Sequence, residues 1–373
     1  MMTVGLVWVF TQEFSASVIP WFLAFSAVPH LLLSVHAGRW TSKLGPLRTI
    51  VWADILRGAI FILLALSWGS VPQGARLATL FAFSFISNFA SALFNPAIMS
   101  LPVFLPEKHL LQEITALTDS CFSFGNIIGP LLSALLYPQL GLAGLFLFNG
   151  LSYLFAAWLE SRITLATPSS EGTDADSSEK PMNIGRLLKS DSLITYLLGG
   201  FLAINLFLGP LLAFMPLFVK GNYQGTINTL AWLETSLAIG MALGGAALSV
   251  FRLDSRAGIK IVSSMLGVSV SYLCFALTRQ AGLGCACLLV LGFFLSLVNI
   301  FAINLFQTRP APRDVPTAMS LVNVISAASM PFSMAAVGLL VETIDVRRLA
   351  VCFGCILLVV TFLVASNREL RRQ

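Results

Sequence analysis

The sequence predicts an all-helical polytopic membrane protein organised as two helical bundles, and three observations carry that expectation. Hydrophobic residues make up 57% of the chain and charged residues only 10%, whereas a soluble domain carries about 25% charged residues. Mean hydropathy is +0.87. Apolar runs of about 20 residues recur along the chain, each able to cross ~30 Å of hydrocarbon. These runs are continuous rather than alternating, which selects helices over a barrel. Finally, the chain has a single long polar stretch, Arg162 to Asp191, with apolar segments of spanning length on both sides.

That stretch divides the sequence into an N-terminal bundle over 1–161, a linker over 162–191 and a C-terminal bundle over 192–373. Its first part is dominated by Ser, Thr, Asp, Glu and Pro, and buries too little apolar surface to offset the entropy of ordering. Its second part, Ile184 to Lys189, has the pattern of a short basic amphipathic helix at a membrane surface.

The chain opens on Thr3 to Gln12, an apolar run only about half a membrane span long. It lacks a basic n-region and a small-residue cleavage site, so it reads as a first helix cut short rather than as a signal peptide. Full spans follow near 14–37, 49–68, 77–105, 112–137 and 140–160. After the linker they fall near 193–219, 226–250, 257–277, 282–306, 318–341 and 349–365. The expectation is about eleven full spans plus an N-terminal half-helix. A short basic loop, Gly38 to Arg48, joins the first two full spans.

The net charge of +5 reports topology rather than nucleic-acid binding, because the basic residues sit between the spans. With sidedness alternating from span to span, Arg76, Lys220, Arg279, Arg347 and Arg348 fall opposite the linker, and Arg57 falls within a span. All other basic residues fall on the linker's side, which makes that side and the C-terminus cytoplasmic. The six cysteines lie in apolar runs without metal-ligand spacing and read as small buried hydrophobes.

Several stretches resemble the major facilitator superfamily. Gly125-Asn-Ile-Ile-Gly129-Pro130-Leu-Leu-Ser133-Ala134 is similar to the antiporter motif GxxxGPxxGG of the fifth helix, with small residues kept at the last two positions. Small residues at this spacing let helices approach closely and the proline adds a kink. The loop from Gly38 to Arg48 resembles the family motif GxxxDRxGxRR at Gly38, Lys43, Gly45 and Arg48, with Ser42 where the family has aspartate. Trp52-Ala-Asp54-Ile-Leu-Arg57, Leu105-Pro-Glu107, Asn205 to Pro210, Trp232-Leu-Glu234-Thr235 and Asn299 to Gln307 resemble stretches of the macrolide-efflux and enterobactin-exporter branch, in the same order.

The resemblance implies a non-enzymatic efflux transporter of a drug, antibiotic or siderophore, with a site between two six-helix bundles and proton antiport by alternating access. It also implies a plasma-membrane monomer whose partners are an amphipathic small molecule and the bilayer, with no nucleic acid. Alternatives are a phospholipid or nutrient carrier of the same fold, or an inactive truncated remnant. No Walker A, zinc motif or dinucleotide fingerprint is present, so the expected driving force is a proton gradient without a cofactor.

Ionisable groups inside a bilayer cost about 2.5–3.5 kcal/mol each and are functional candidates by default. Asp54 and Arg57, at i, i+3 on one helical face, read as an ion pair or gate, with Lys43 and Arg48 as further gating cations. Glu234 has no cation near it in sequence and leads the proton-coupling candidates, since burying an unpaired carboxyl favours its protonated form. Asp54 and Asp119 are the other two. Glu13 is a minor candidate at the outer mouth. His30 and His36 titrate near physiological pH when exposed, though a lone helical histidine is more often a satisfied polar residue. Asn205, Asn299 and Asn304, with Gln307, are candidate cavity groups or helix-to-helix glue.

Overall fold

The computed structural model describes residues 2–15, 17–100, 111–163, 192–250, 257–308 and 315–366. Every regular element among them is helical. In chain order these are α1 (Met2–Glu13), α2 (Val18–Leu44), α3 (Pro46–Ser67), α4 (Gln73–Ser100), α5 (Leu111–Glu160), α6 (Ser192–Leu208), α7 (Leu211–Gly221), α8 (Ile227–Val250), α9 (Ala257–Leu277), α10 (Ala281–Thr308), α11 (Val315–Leu340) and α12 (Val346–Ala365). Among the described residues eight stretches are long and apolar enough to cross a membrane, and Val18–His30 and Ala328–Leu340 are shorter apolar helices.

The breaks between helices follow from glycine and proline. The expected loop from Gly38 to Arg48 is not a loop through most of its length, because α2 continues to Leu44. No breaker occurs between Arg39 and Leu44. The chain stops at Gly45, whose φ of 84° suits a residue without a Cβ, and Pro46 then opens α3. Helix α5 runs on past Tyr137, but Gly141 at φ 63° interrupts it and separates two spanning segments. The single span expected over 193–219 is found over Thr195–Gly221, with a helical break between α6 and α7 at Gly209-Pro210. Pro210 has no N–H to continue the ladder, and a Cβ on Gly209 would lie 2.6 Å from the Asn205 carbonyl oxygen.

The chain divides into two compact units, one of Met1–Val9 with Phe22–Ser177 and one of Phe10–Trp21 with Ser178–Gln373. In the first unit α2 packs on α4 through an aromatic ladder in which Phe22 and Phe25 meet Phe81 and Phe85 at centroid distances of 5.4 Å. The same unit packs α3 antiparallel to the second half of α5. Here Gly58 and Gly150 face each other, and a Cβ on either would stand 3.1 Å from the other's carbonyl oxygen. In the second unit α8 and α10 touch backbone to backbone: a Cβ on Gly240 would overlap the Leu289 carbonyl oxygen, and one on Gly292 that of Leu237. Helix α9 lies against α12, where Ser269 and Thr361 hydroxyls meet at 3.0 Å.

Large apolar side chains such as Leu66, Phe332 and Trp52 point outward, as expected where the surroundings are lipid rather than water. The cysteines correct the sequence reading in the same way. All six are free thiols, but Cys121, Cys274, Cys352 and Cys355 are exposed and Cys285 and Cys287 only partly buried. A hydrocarbon surface accepts a thiol as readily as a protein core does. At one end of the second unit, polar groups cap helix termini. Asp345 accepts from the backbone of Arg347 at 2.9 Å and of Arg348 at 3.3 Å, and the Arg347 guanidinium donates to the Leu277 carbonyl that ends α9.

The α8–α10 contact gives a direct test. Gly240→Ala and Gly292→Ala each force backbone against backbone, and overpacking of this kind costs about 1–3 kcal/mol. Thermal unfolding of the detergent-solubilised chain should show both variants melting below wild type. Gly199→Ala, whose Cβ meets nothing within 4 Å, should melt unchanged.

Candidate functional site

The first unit holds a buried charge cluster. Asp54 and Arg57 are 3% and 6% exposed and form an ion pair one turn apart on α3. The guanidinium is held from several directions. Its Nε donates to the Ala53 carbonyl at 3.3 Å and an Nη reaches the Ser91 hydroxyl of α4 at 3.5 Å. Its Cζ lies 4.3 Å from the Phe94 ring centroid and 4.6 Å from that of Tyr153. Arg57 thus joins α3, α4 and the second half of α5 at one point. Cation–π contacts contribute about 2 kcal/mol or more when desolvated, which helps offset the cost of burying the pair.

A third ionisable group belongs to this cluster and was not singled out from sequence. Glu160, the last residue of α5, lies within electrostatic range of both Asp54 and Arg57. Its Oε2 is buried without a hydrogen-bond partner among the described residues. At the junction of a span and the linker it looks like an ordinary interfacial acid. The available signal was its place two turns beyond Tyr153, on the same helical face.

Close by, α2 and α4 share a polar ladder. Ser26 and Ser84 hydroxyls meet at 2.6 Å, and Asn88 donates to the Ser84 carbonyl at 2.9 Å and hydroxyl at 3.2 Å. Asn88 also hydrogen-bonds His30. His30 is therefore a partnered group on a helix–helix seam.

The second unit places Glu234 on α8, partly buried and outside any hydrogen bond or ion pair among the described residues. Asn205 on α6 is partly buried, and its amide donates to the Phe201 carbonyl of its own helix at 2.8 Å. Asn299 and Asn304 lie partly buried on α10. An apolar cavity in this unit is lined by Leu197, Phe201, Ile204, Met265 and Val298 among others. Its wall has no polar side chain to orient a ligand, so it reads as loose packing.

The remaining candidates are scattered. Arg48 is exposed in the first turn of α3. Glu13 ends α1. The side chains of Lys43, Asp119, His36 and Gln307 lie outside the described residues, as do Glu107 and the linker helix expected over 184–189. Of the glycine-rich motif, Gly129, Pro130, Ser133 and Ala134 are buried in α5, as close packing requires. Gly125 is exposed, with open space where a Cβ would stand.

Among the described residues, the many long apolar helices describe a multi-pass membrane protein. The family model of the Major Facilitator Superfamily matches residues 1–334, and the chain belongs to that family. It is 22% identical over 294 residues to macrolide efflux protein A of Streptococcus pyogenes, an alignment covering 77% of this chain and 72% of that one. Among solved structures the nucleoside transporter NupG superposes with a TM-score of 0.71 at 13% identity, covering 98% of this chain and 94% of that one. A bacterial homologue of the human lysosomal transporter Spinster, inward-facing and unoccupied, gives 0.70 at 14% identity, covering 98% and 93%. These two likenesses concern the fold.

The ion pair has a measurable signature. Arg57→Met leaves Asp54 buried without its partner, and breaking a buried pair from one side costs about 3–5 kcal/mol. Thermal unfolding should show this variant much less stable than wild type, and Asp54→Asn/Arg57→Met should recover most of the loss. Equal melting of the single and double variants would mean that the pair is not held as described.

Proposed function

We propose that this chain is a secondary active exporter of an amphipathic small molecule of the macrolide type, working by proton antiport and alternating access. The observation that carries the reading is its similarity, across most of its length, to a protein named for macrolide efflux. Family membership supports a transporter. The positive-inside pattern supports a linker and C-terminus in the cytoplasm of a plasma-membrane protein. The chain acts as a monomer in this reading.

Glu234 is the leading proton carrier in the proposed cycle. It sits within the apolar helix α8 without a hydrogen-bonded or ionic partner among the described residues. A carboxylate there binds an incoming proton on one oxygen, and releases it when a change in conformation exposes the group to water on the other side. Asp54 and Asp119 are the other coupling candidates. Asn205, Asn299 and Asn304 are proposed as polar contacts for substrate. The many phenylalanines and methionines suit an adaptable apolar pocket.

Uptake of a radiolabelled macrolide, or of a fluorescent amphipathic dye, into inverted membrane vesicles tests the proposal. The wild-type chain should accumulate the probe when the vesicles are energised, and a protonophore should abolish accumulation. Glu234→Gln should lower the gradient-driven rate by tenfold or more while leaving probe binding measurable. Wild-type rates in Glu234→Gln would move coupling to Asp54 or Asp119, and a protonophore-insensitive wild type would remove antiport altogether.

A further inference from the structure

We propose that Glu160 is a second, alternative carboxylate partner of Arg57, so that Asp54 and Glu160 share one guanidinium and hold one exchangeable proton between them inside the first unit.

The geometry begins with the antiparallel packing of α3 on the second half of α5. Arg57 adjoins Gly58, which faces Gly150, so Arg57 is level with Leu151, and the Tyr153 ring leans back to within 4.6 Å of the guanidinium carbon. From that level Asp54 is three residues back along α3 and Glu160 is nine residues on along α5. Because the helices run in opposite directions, both displacements point toward the same end of the unit. At 1.5 Å per residue the two acids differ by about 9 Å along the helix axes, a gap the side chains narrow by leaning toward each other. Helical side chains lean toward the N-terminus of their own helix. Arg57 therefore leans toward the end where Glu160 stands, and Glu160 leans back toward Asp54 and Arg57. The electrostatic coupling of Glu160 to both groups fits this placement.

The hydrogen-bond inventory leaves room for a second partner. Asp54 takes one Nη of Arg57, while the Ala53 carbonyl and Ser91 hydroxyl are reached only at 3.3 and 3.5 Å. A guanidinium has five N–H donors, so donors remain. Glu160 Oε2 is a buried acceptor lacking a donor among the described residues. Among the described residues, the other groups facing the cluster do not supply a second positive charge. Helix α4 contributes Ser91 and Phe94, and α5 contributes Tyr153. Arg162 follows Glu160 closely, but its guanidinium stacks on Trp158 at 4.8 Å.

Two carboxylates and one guanidinium in an apolar bundle leave one negative charge. A proton from water, forming one O–H bond on whichever carboxylate is not paired with Arg57, cancels it. When Arg57 moves from Asp54 to Glu160, that proton leaves Glu160 and one is taken up by Asp54. The site needs no transported substrate to load, so its test is independent of the export reading.

The test is pH-difference infrared spectroscopy on the full chain in lipid nanodiscs, with Glu234→Gln as background. The double variant Asp54→Asn/Glu160→Gln serves as the blank. Relative to that blank, the background protein should show the carboxyl band of one titrating proton. Asp54→Asn alone and Glu160→Gln alone should each lose that band completely, because the carboxylate left behind takes Arg57 for itself. Retention of the band in either single variant would show independent sites and overturn the proposal, as would absence of the band in the background protein. Both amide variants are near-isosteric, and their melting temperatures check that folding is kept.

Discussion

A positive charge has nowhere to be hydrated inside hydrocarbon, and the way Arg57 is accommodated organises the first unit. Its guanidinium is held by a carboxylate one turn away, by oxygen atoms from α3 and α4, and by two aromatic faces from α4 and α5. Each donor of the group needs a partner from the protein because lipid offers none. The helices that surround it must therefore keep a fixed rotation and depth. Packing of apolar side chains against one another would tolerate sliding. A guanidinium with five directional donors does not.

The second constraint is close backbone approach at glycine, which both units use, though at different helix pairs. Counting α1 as the first span of the first unit, the second span packs on the fourth and the third on the sixth. In the second unit α8 packs on α10 and α9 on α12, which is the same scheme. Gly58 and Gly150 serve one contact in the first unit, and Gly240, Gly244 and Gly292 serve another in the second. Lipid tails are as apolar as leucine, so dispersion across tight contacts supplies helix association in place of the hydrophobic effect. Two repeats solving that problem with the same pairings is what an internally duplicated transporter is built from.

Much of this was legible in the sequence for physical reasons. Hydrocarbon thickness sets helix length, so apolar runs located the helices to within a few residues, and α9 coincides with its expected range. The pairing of Asp54 with Arg57 followed from their i, i+3 spacing and the scarcity of charge around them. What sequence did not reveal lies between helices. Glu160 belongs to the Arg57 cluster only because α5 turns back at Gly141 and runs antiparallel to α3, and nothing in the spacing of residues 57 and 160 reports that. The continuation of α2 to Leu44 was hidden by polar residues that look like a loop but contain no helix breaker before Gly45. The outward-facing cysteines were misread for a related reason, since composition does not distinguish a side chain facing lipid from one facing protein.

The glycine contact between α8 and α10 has a mechanical consequence. Where two backbones touch, neither helix can turn or slip without lifting off the other, so the pair moves as one rigid strut. Glu234 rides on one member of that strut and Asn299 on the other. Close backbone contact therefore resists any change in the distance between the two positions. In the proposed cycle, a change in what Glu234 meets then comes from other elements moving past the strut, and the polar group on α10 is carried along with it like a second mark on the same ruler.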